Sequence, residues 1–121
     1  MADRIDTLGD QVRDARVRAG LSLRELAKQL DGATPSYLSD IENDRRVPSE
    51  KVLSSLAHIL HLDFDELMAA AGRIGEDTDR YLRRQPTAGV LMRRLSQHNL
   101  GPDELESLLK QADRLGQQKR G

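Results

Sequence analysis

Cysteine is absent from the 121 residues, which excludes disulfides, thiolate metal sites and a cysteine nucleophile. Tryptophan is absent too, and two tyrosines and one phenylalanine are the whole aromatic complement. A core must therefore be assembled from Leu, Val, Ile, Ala and Met, a palette that favours helices over a sandwich or barrel. No apolar run approaches the ~18 residues of a membrane span. The opening MADRIDTLGD is charged where a signal peptide would be greasy. These absences predict a cytoplasmic protein with no membrane association, and nothing in the composition calls for a cofactor.

The net charge of -1 is unevenly spread. Residues 1–72 hold 9 Lys and Arg against 13 Asp and Glu, whereas residues 73–121 hold 10 against 7. The first part is therefore not a basic module that clings to polyanions through its bulk field. Any nucleic-acid contact there depends on local placement of side chains.

Helical periodicity begins with Leu8, Val12, Ala15, Val17 and Ala19 among charges, closed by Gly20. Ser22 and Glu25 have the spacing of a capping box ahead of Leu26, Ala27 and Leu30, and that second helix ends at Asp31-Gly32. Thr34 before Pro35 suits an N-cap with proline in the first turn, opening a third helix to about Asn43. After DRRVP, Ser49 caps a fourth helix with an inward stripe of Val52, Leu53, Leu56, Ala57 and Leu60. Asp63 and Glu66 form another capping-box pattern for a short fifth helix. Five locally connected helices predict a small all-α domain over residues 1–72.

Beyond Gly72 the texture changes. GRIGEDTD is rich in glycine and charge, YLRRQ breaks at Pro86, and AGVLMRRLSQ has helical character. A last helix follows Gly101-Pro102, with Glu104 three residues after the cap, and QQKRG reads as a solvated tail. Leu105, Leu108, Leu109, Ala112 and Leu115 mark a narrow apolar stripe on it. That stripe either folds back on the first domain or meets its copy in a second chain, and self-association is favoured. Residues 73–121 are thus expected to form a helical oligomerisation or partner-binding segment.

The third helix has an unusual outer face. At 100° per residue, Leu38 and Ile41 fall inward with Thr34, while Ser36, Ser39, Asp40 and Asn43 gather opposite and Tyr37 lies at the boundary. Short donors and acceptors there let a helix approach another surface closely. The DNA major groove accepts such a helix, whose side chains read base edges. Arg45 and Arg46, just beyond, are placed to hold phosphates. Asp40 repels phosphate, and its use is to accept a hydrogen bond from cytosine N4.

Residues 8–72 resemble the Cro/cI-type helix-turn-helix domain of phage repressors and the XRE family of bacterial regulators. The segments that carry the likeness are LGDQVRDARVRAGLSLRELAKQL, PSYLSDIENDRRVPS and LAHILHLDFDEL. The resemblance implies a five-helix, phage-repressor-like domain in which the second helix crosses the DNA backbone and the third enters the major groove. It places Thr34, Pro35, Ser36, Tyr37 and Asp40 toward bases or flanking phosphates, and it pairs Arg16 with Glu42 as a structural ion pair. Two departures stand out. The DGAT turn is one residue longer than in most relatives, and Asp44 occupies a position where many relatives have glycine, so Asn43 is expected to supply the left-handed residue.

Other chemistry is poorly supported. His58 and His61 stand three apart without a third ligand, and Ser22, Ser39 and Ser49 lack a neighbouring base or a nucleophile-elbow pattern. The reading is a non-enzymatic transcriptional regulator, a repressor by the commoner outcome in such proteins, acting in the bacterial cytoplasm or nucleoid. Its partner is double-stranded DNA, bound as a homodimer on an inverted repeat. A rival of another class is an antitoxin-like or adaptor module whose C-terminal segment, with Arg83-Arg84 and Arg93-Arg94, binds an effector protein.

Overall fold

Side chains that fold back on their own first turns decide where the helices begin. In the computed structural model, which describes residues 6–120, Thr7 Oγ1 accepts from Asp10 N at 3.1 Å and opens α1 (Leu8–Arg18). Ser22 and Glu25 make the expected reciprocal box for α2 (Leu23–Gln29), at 3.0 and 2.9 Å. Two backbone and side-chain hydrogen bonds with Ser22 hold the Glu25 carboxyl below its ordinary pKa. Thr34 caps α3 (Pro35–Glu42) through Tyr37 N, and Ser49 caps α4 (Glu50–Leu60) through Val52 N. Asp63 caps α5 (Phe64–Ala70) by the forward bond to Glu66 N.

Three more helices complete the described residues: α6 (Gly75–Arg84), α7 (Pro86–Gln97) and α8 (Pro102–Arg120). The glycine- and charge-rich stretch after Gly72 therefore winds into α6, and the QQKR of the tail continues α8. At the start of α8, Glu104 Oε1 accepts from Gly101 N at 2.6 Å, the half of a box that a glycine cap allows.

Two compact units divide after Asp77. In the first, α1 packs on α3 and α4, α2 on α3, and α4 on α5. Val12, Leu26, Leu38, Ile41, Leu53, Leu56 and Leu67 are fully enclosed, each burial contributing about 1.5–3 kcal/mol. Arg73 Nε donates to Pro48 O at 2.7 Å, which ties the segment after α5 to the loop before α4. Two expected core positions do not hold. Val17 is 61% exposed, because at 100° per residue it stands about 180° from Leu8 on the face turned away from the core, and Ala19, the C-cap of α1, is exposed too.

The turn after α3 also differs from expectation. Asn43 stays at φ -97° and Asp44 itself takes the left-handed conformation, φ 58°. A non-glycine residue is strained there, and the offset comes from its carboxylate. Asp44 Oδ1 accepts from Gly9 N at 2.9 Å and Oδ2 accepts from the Thr7 hydroxyl at 2.7 Å, so a loop residue caps the start of α1. Asp44→Ala is expected to cost about 1–3 kcal/mol by leaving Gly9 N unpaired while keeping the strain. Asp44→Gly relieves the strain and should cost less, and thermal unfolding of the two variants side by side checks the order.

Candidate nucleic-acid interface

The outer surface of α3 is built by anchoring its opposite side. Leu38 and Ile41 are fully buried, and the Glu42 side chain is only 2% exposed. A buried carboxylate requires partners, and it has two. Arg16 Nε reaches Glu42 Oε2 at 2.6 Å and Arg16 Nη2 reaches Oε1 at 3.1 Å, a two-pronged contact, while Arg16 Nη1 donates to Leu21 O at 2.9 Å. Arg13 adds Nε to Oε1 at 3.4 Å and Nη2 to Asn43 Oδ1 at 3.0 Å. The hydrogen bonds that Arg16 donates to Glu42 raise its pKa above the ordinary value, against a smaller opposing effect of burial.

A backbone approach reinforces these side-chain links. Gly9 is buried at the first turn of α1, and a Cβ built there would stand 2.4 Å from Glu42 O and 2.8 Å from both Glu42 C and Ile41 O. Only glycine lets the start of α1 lie against the last carbonyls of α3. Together with Arg13, Arg16 and Asp44, this contact fixes α3 relative to α1 at its C-terminal end.

With one side held, the other side of α3 carries the short polar groups. Thr34, Pro35 and Ser36 are exposed, and Ser39 and Asp40 are half-buried. Thr34 does not turn inward beside Leu38 and Ile41, because its hydroxyl is engaged as the cap, on the outside. Tyr37 is half-buried, and the Arg46 guanidinium lies over its ring, 5.4 Å from the centroid. Arg45 Nη1 stands 3.8 Å from Asp40 Oδ1 with its side chain 71% exposed, a contact worth about 0–1 kcal/mol at a surface and so easily exchanged for another anion. Asn43 is used within the fold: Nδ2 donates to Ser39 O at 2.8 Å and to Ser39 Oγ at 3.3 Å, while Oδ1 faces Arg13.

The structure thus carries Thr34, Pro35, Ser36, Ser39 and Asp40 on α3 and its cap, with Arg45 and Arg46 in the loop that follows, next to Asp40 and Tyr37. Sequence reading missed Gly9, Arg13 and Asp44. Asp44 had a signal, an acidic residue where glycine is usual, but its partners lie 35 and 37 residues away. His58 is exposed on α4, and His61 takes the left-handed cap of that helix, φ 56°. The apolar row Leu105, Leu108, Leu109, Ala112 and Leu115 lies exposed on α8 in the second unit.

Comparison with known proteins places residues 7–71 within a family model described as a helix-turn-helix domain. The chain is 40% identical over 70 residues to the ImmF control region 10 kDa protein of Bacillus phage phi105, covering 58% of this chain and 77% of that one. It is 35% identical over 83 residues to the transcriptional regulator ClgR of Mycobacterium tuberculosis, covering 67% and 71%. Among solved structures, the clp gene regulator ClgR from Corynebacterium glutamicum aligns with a TM-score of 0.47 at 28% identity, over 75% of this chain and 88% of that one. Among the described residues, no helix is long and apolar enough to cross a membrane.

Proposed function

The chain belongs to the helix-turn-helix family of DNA-binding transcriptional regulators, and from that membership we propose a sequence-specific repressor that reads double-stranded DNA with α3 in the major groove. In this reading Thr34, Pro35, Ser36, Tyr37, Ser39 and Asp40 approach base edges, while Asn43, Arg45 and Arg46 meet phosphates. It acts in the bacterial cytoplasm, on the nucleoid, without catalysis. The observation that carries it is the contrast across α3: one side is locked by Leu38, Ile41 and Glu42, the other offers Ser36 and its short neighbours to a partner. A long side chain on that face would hold the helix off the bases, whereas serine hydroxyls reach them only when the backbone comes close.

Charge supports phosphate contact at the end of the helix rather than along it. Residues 1–72 are net acidic, so affinity rests on a few placed cations, and Arg45 and Arg46 are exposed beside the reading face. Such a module binds weakly alone, and joining two copies raises affinity through effective concentration. We therefore read the chain as a homodimer associating through Leu105, Leu108, Leu109, Ala112 and Leu115, with half-sites about one helical turn, ~34 Å, apart on an inverted repeat.

Binding measured on genome fragments against competitor DNA tests the reading. The double variant Arg45→Ala, Arg46→Ala should weaken all sequences alike and make the salt dependence shallower by about 0.9 per lost phosphate contact. Ser36→Ala with Asp40→Ala should instead erode discrimination, by about 1–3 kcal/mol at the base pair concerned, while the salt slope stays put. Equal binding to every fragment by the unsubstituted protein would end the proposal.

A further inference from the structure

The second unit has surface that its own fold does not use. Helices α6, α7 and α8 bury no residue among those described. The four leucines of α8 stand 36–56% exposed, and the run from Val90 to Met92 on α7 is about half exposed. A segment of this size with so thin a core is marginal by itself.

Charge along α8 selects how a second copy would meet it. Asp103, Glu104 and Glu106 crowd its first turns, and Lys110, Arg114, Lys119 and Arg120 follow, with Asp113 the one acid among them. Lys119 lies seven residues after Ala112 and so continues the row of Leu105 and Ala112 at the far end of the apolar stripe. In a parallel pair each Lys119 ammonium would face its copy across the seam, and the acidic turns would overlap. Reversing one helix brings Lys119 and Arg120 beside the acidic first turn of the second copy, and it also opposes the two helix dipoles. We infer that two chains associate by antiparallel pairing of α8, with Leu105 of one helix near Leu115 of the other. This rests on the homodimer reading and adds its direction and its contacts.

Because the chain has no cysteine, single introduced thiols report directly on neighbours, since a disulfide needs Cα atoms within about 7 Å. Sedimentation of the unsubstituted full chain should give a dimer mass. Leu105→Cys and Leu115→Cys, oxidised separately, should yield no linked dimer, whereas an equal, equilibrated mixture should link in about half of its chains. Leu109→Cys, near the middle of the row, should link to itself and shows that oxidation proceeds. Self-linking of Leu105→Cys or Leu115→Cys would overturn the antiparallel direction, and a dimer that links at none of these positions would remove α8 from the interface. In both cases the dimer reading survives. A monomer mass would overturn dimer and direction together, and DNA preference measured on the same samples reports separately on groove reading.

Discussion

Glu42→Ala is expected to lower the free energy of unfolding by about 3–5 kcal/mol, a large share of the roughly 5–15 kcal/mol typical of a domain. The carboxylate is nearly sealed from solvent and accepts from Arg16 at 2.6 and 3.1 Å and from Arg13 at 3.4 Å. Its removal leaves the Arg16 guanidinium, whose side chain is 15% exposed, with only Leu21 O and solvent at its edge. The loss comes from stranding a charge, so removing both charges should cost less: Arg16→Met with Glu42→Leu is expected to recover most of the stability. Urea denaturation checks this through a lowered midpoint at unchanged slope. A Glu42→Ala midpoint equal to that of the parent would show that the pair does not hold α3. The pH behaviour of the pair follows from its sign. The raised Arg16 pKa means that its contribution is complete below the ordinary arginine value and is lost only as pH rises through the still higher folded one. From the arginine side, the link therefore persists across any working pH.

Gly9→Ala should destabilise by about 1–3 kcal/mol or more, the range for overpacking a tight contact. In most helix positions the same change stabilises, by up to about 1 kcal/mol. The sign reverses here because the added carbon would meet backbone, 2.4 Å from Glu42 O, and a carbonyl in α3 cannot rotate away as a side chain can. The ends of α1 and α3 must move apart, which also lengthens the Asp44 bond to Gly9 N. Gly89 in α7 is the control: nothing lies within 4 Å of its added Cβ, so Gly89→Ala should be neutral or stabilise by about 0.5–1 kcal/mol. Thermal unfolding of both variants separates the two cases, and a Gly9→Ala protein as stable as its parent would show that α1 and α3 are not held at this distance. Since the same contact sets how far α3 stands out, DNA preference should fall with stability.

Much of the fold is legible in the sequence because its signals are local. Ser22 with Glu25, Thr34 with Pro35, and Ser49 each act within four residues, so the starts of α2, α3 and α4 follow from short stretches of chain. The stripes of α2 and α4 likewise announce their buried sides. Periodicity misleads at Val17 when apolar residues are listed without their angles, since Val17 stands about 180° from Leu8 and faces outward. It misleads again for Thr34, since an angular projection treats as inward a residue that the cap places outside. The stretch after Gly72 hides α6 because glycine and charge in sequence imitate a loop, although Asp79 and Arg83 pair one turn apart on it.

By itself the sequence determined the all-helical class, the helix starts and the short polar outer side of α3, because each depends on residue type and spacing within a turn or two. The tertiary structure decided how α3 is held. The approach of Gly9 to Glu42, the left-handed Asp44 that caps α1, and the joint claim of Arg13 and Arg16 on one carboxylate exist only once residues about thirty positions apart are brought together. No local pattern encodes that closure, since the apolar core of the first unit creates the meeting and the polar groups then satisfy one another within it.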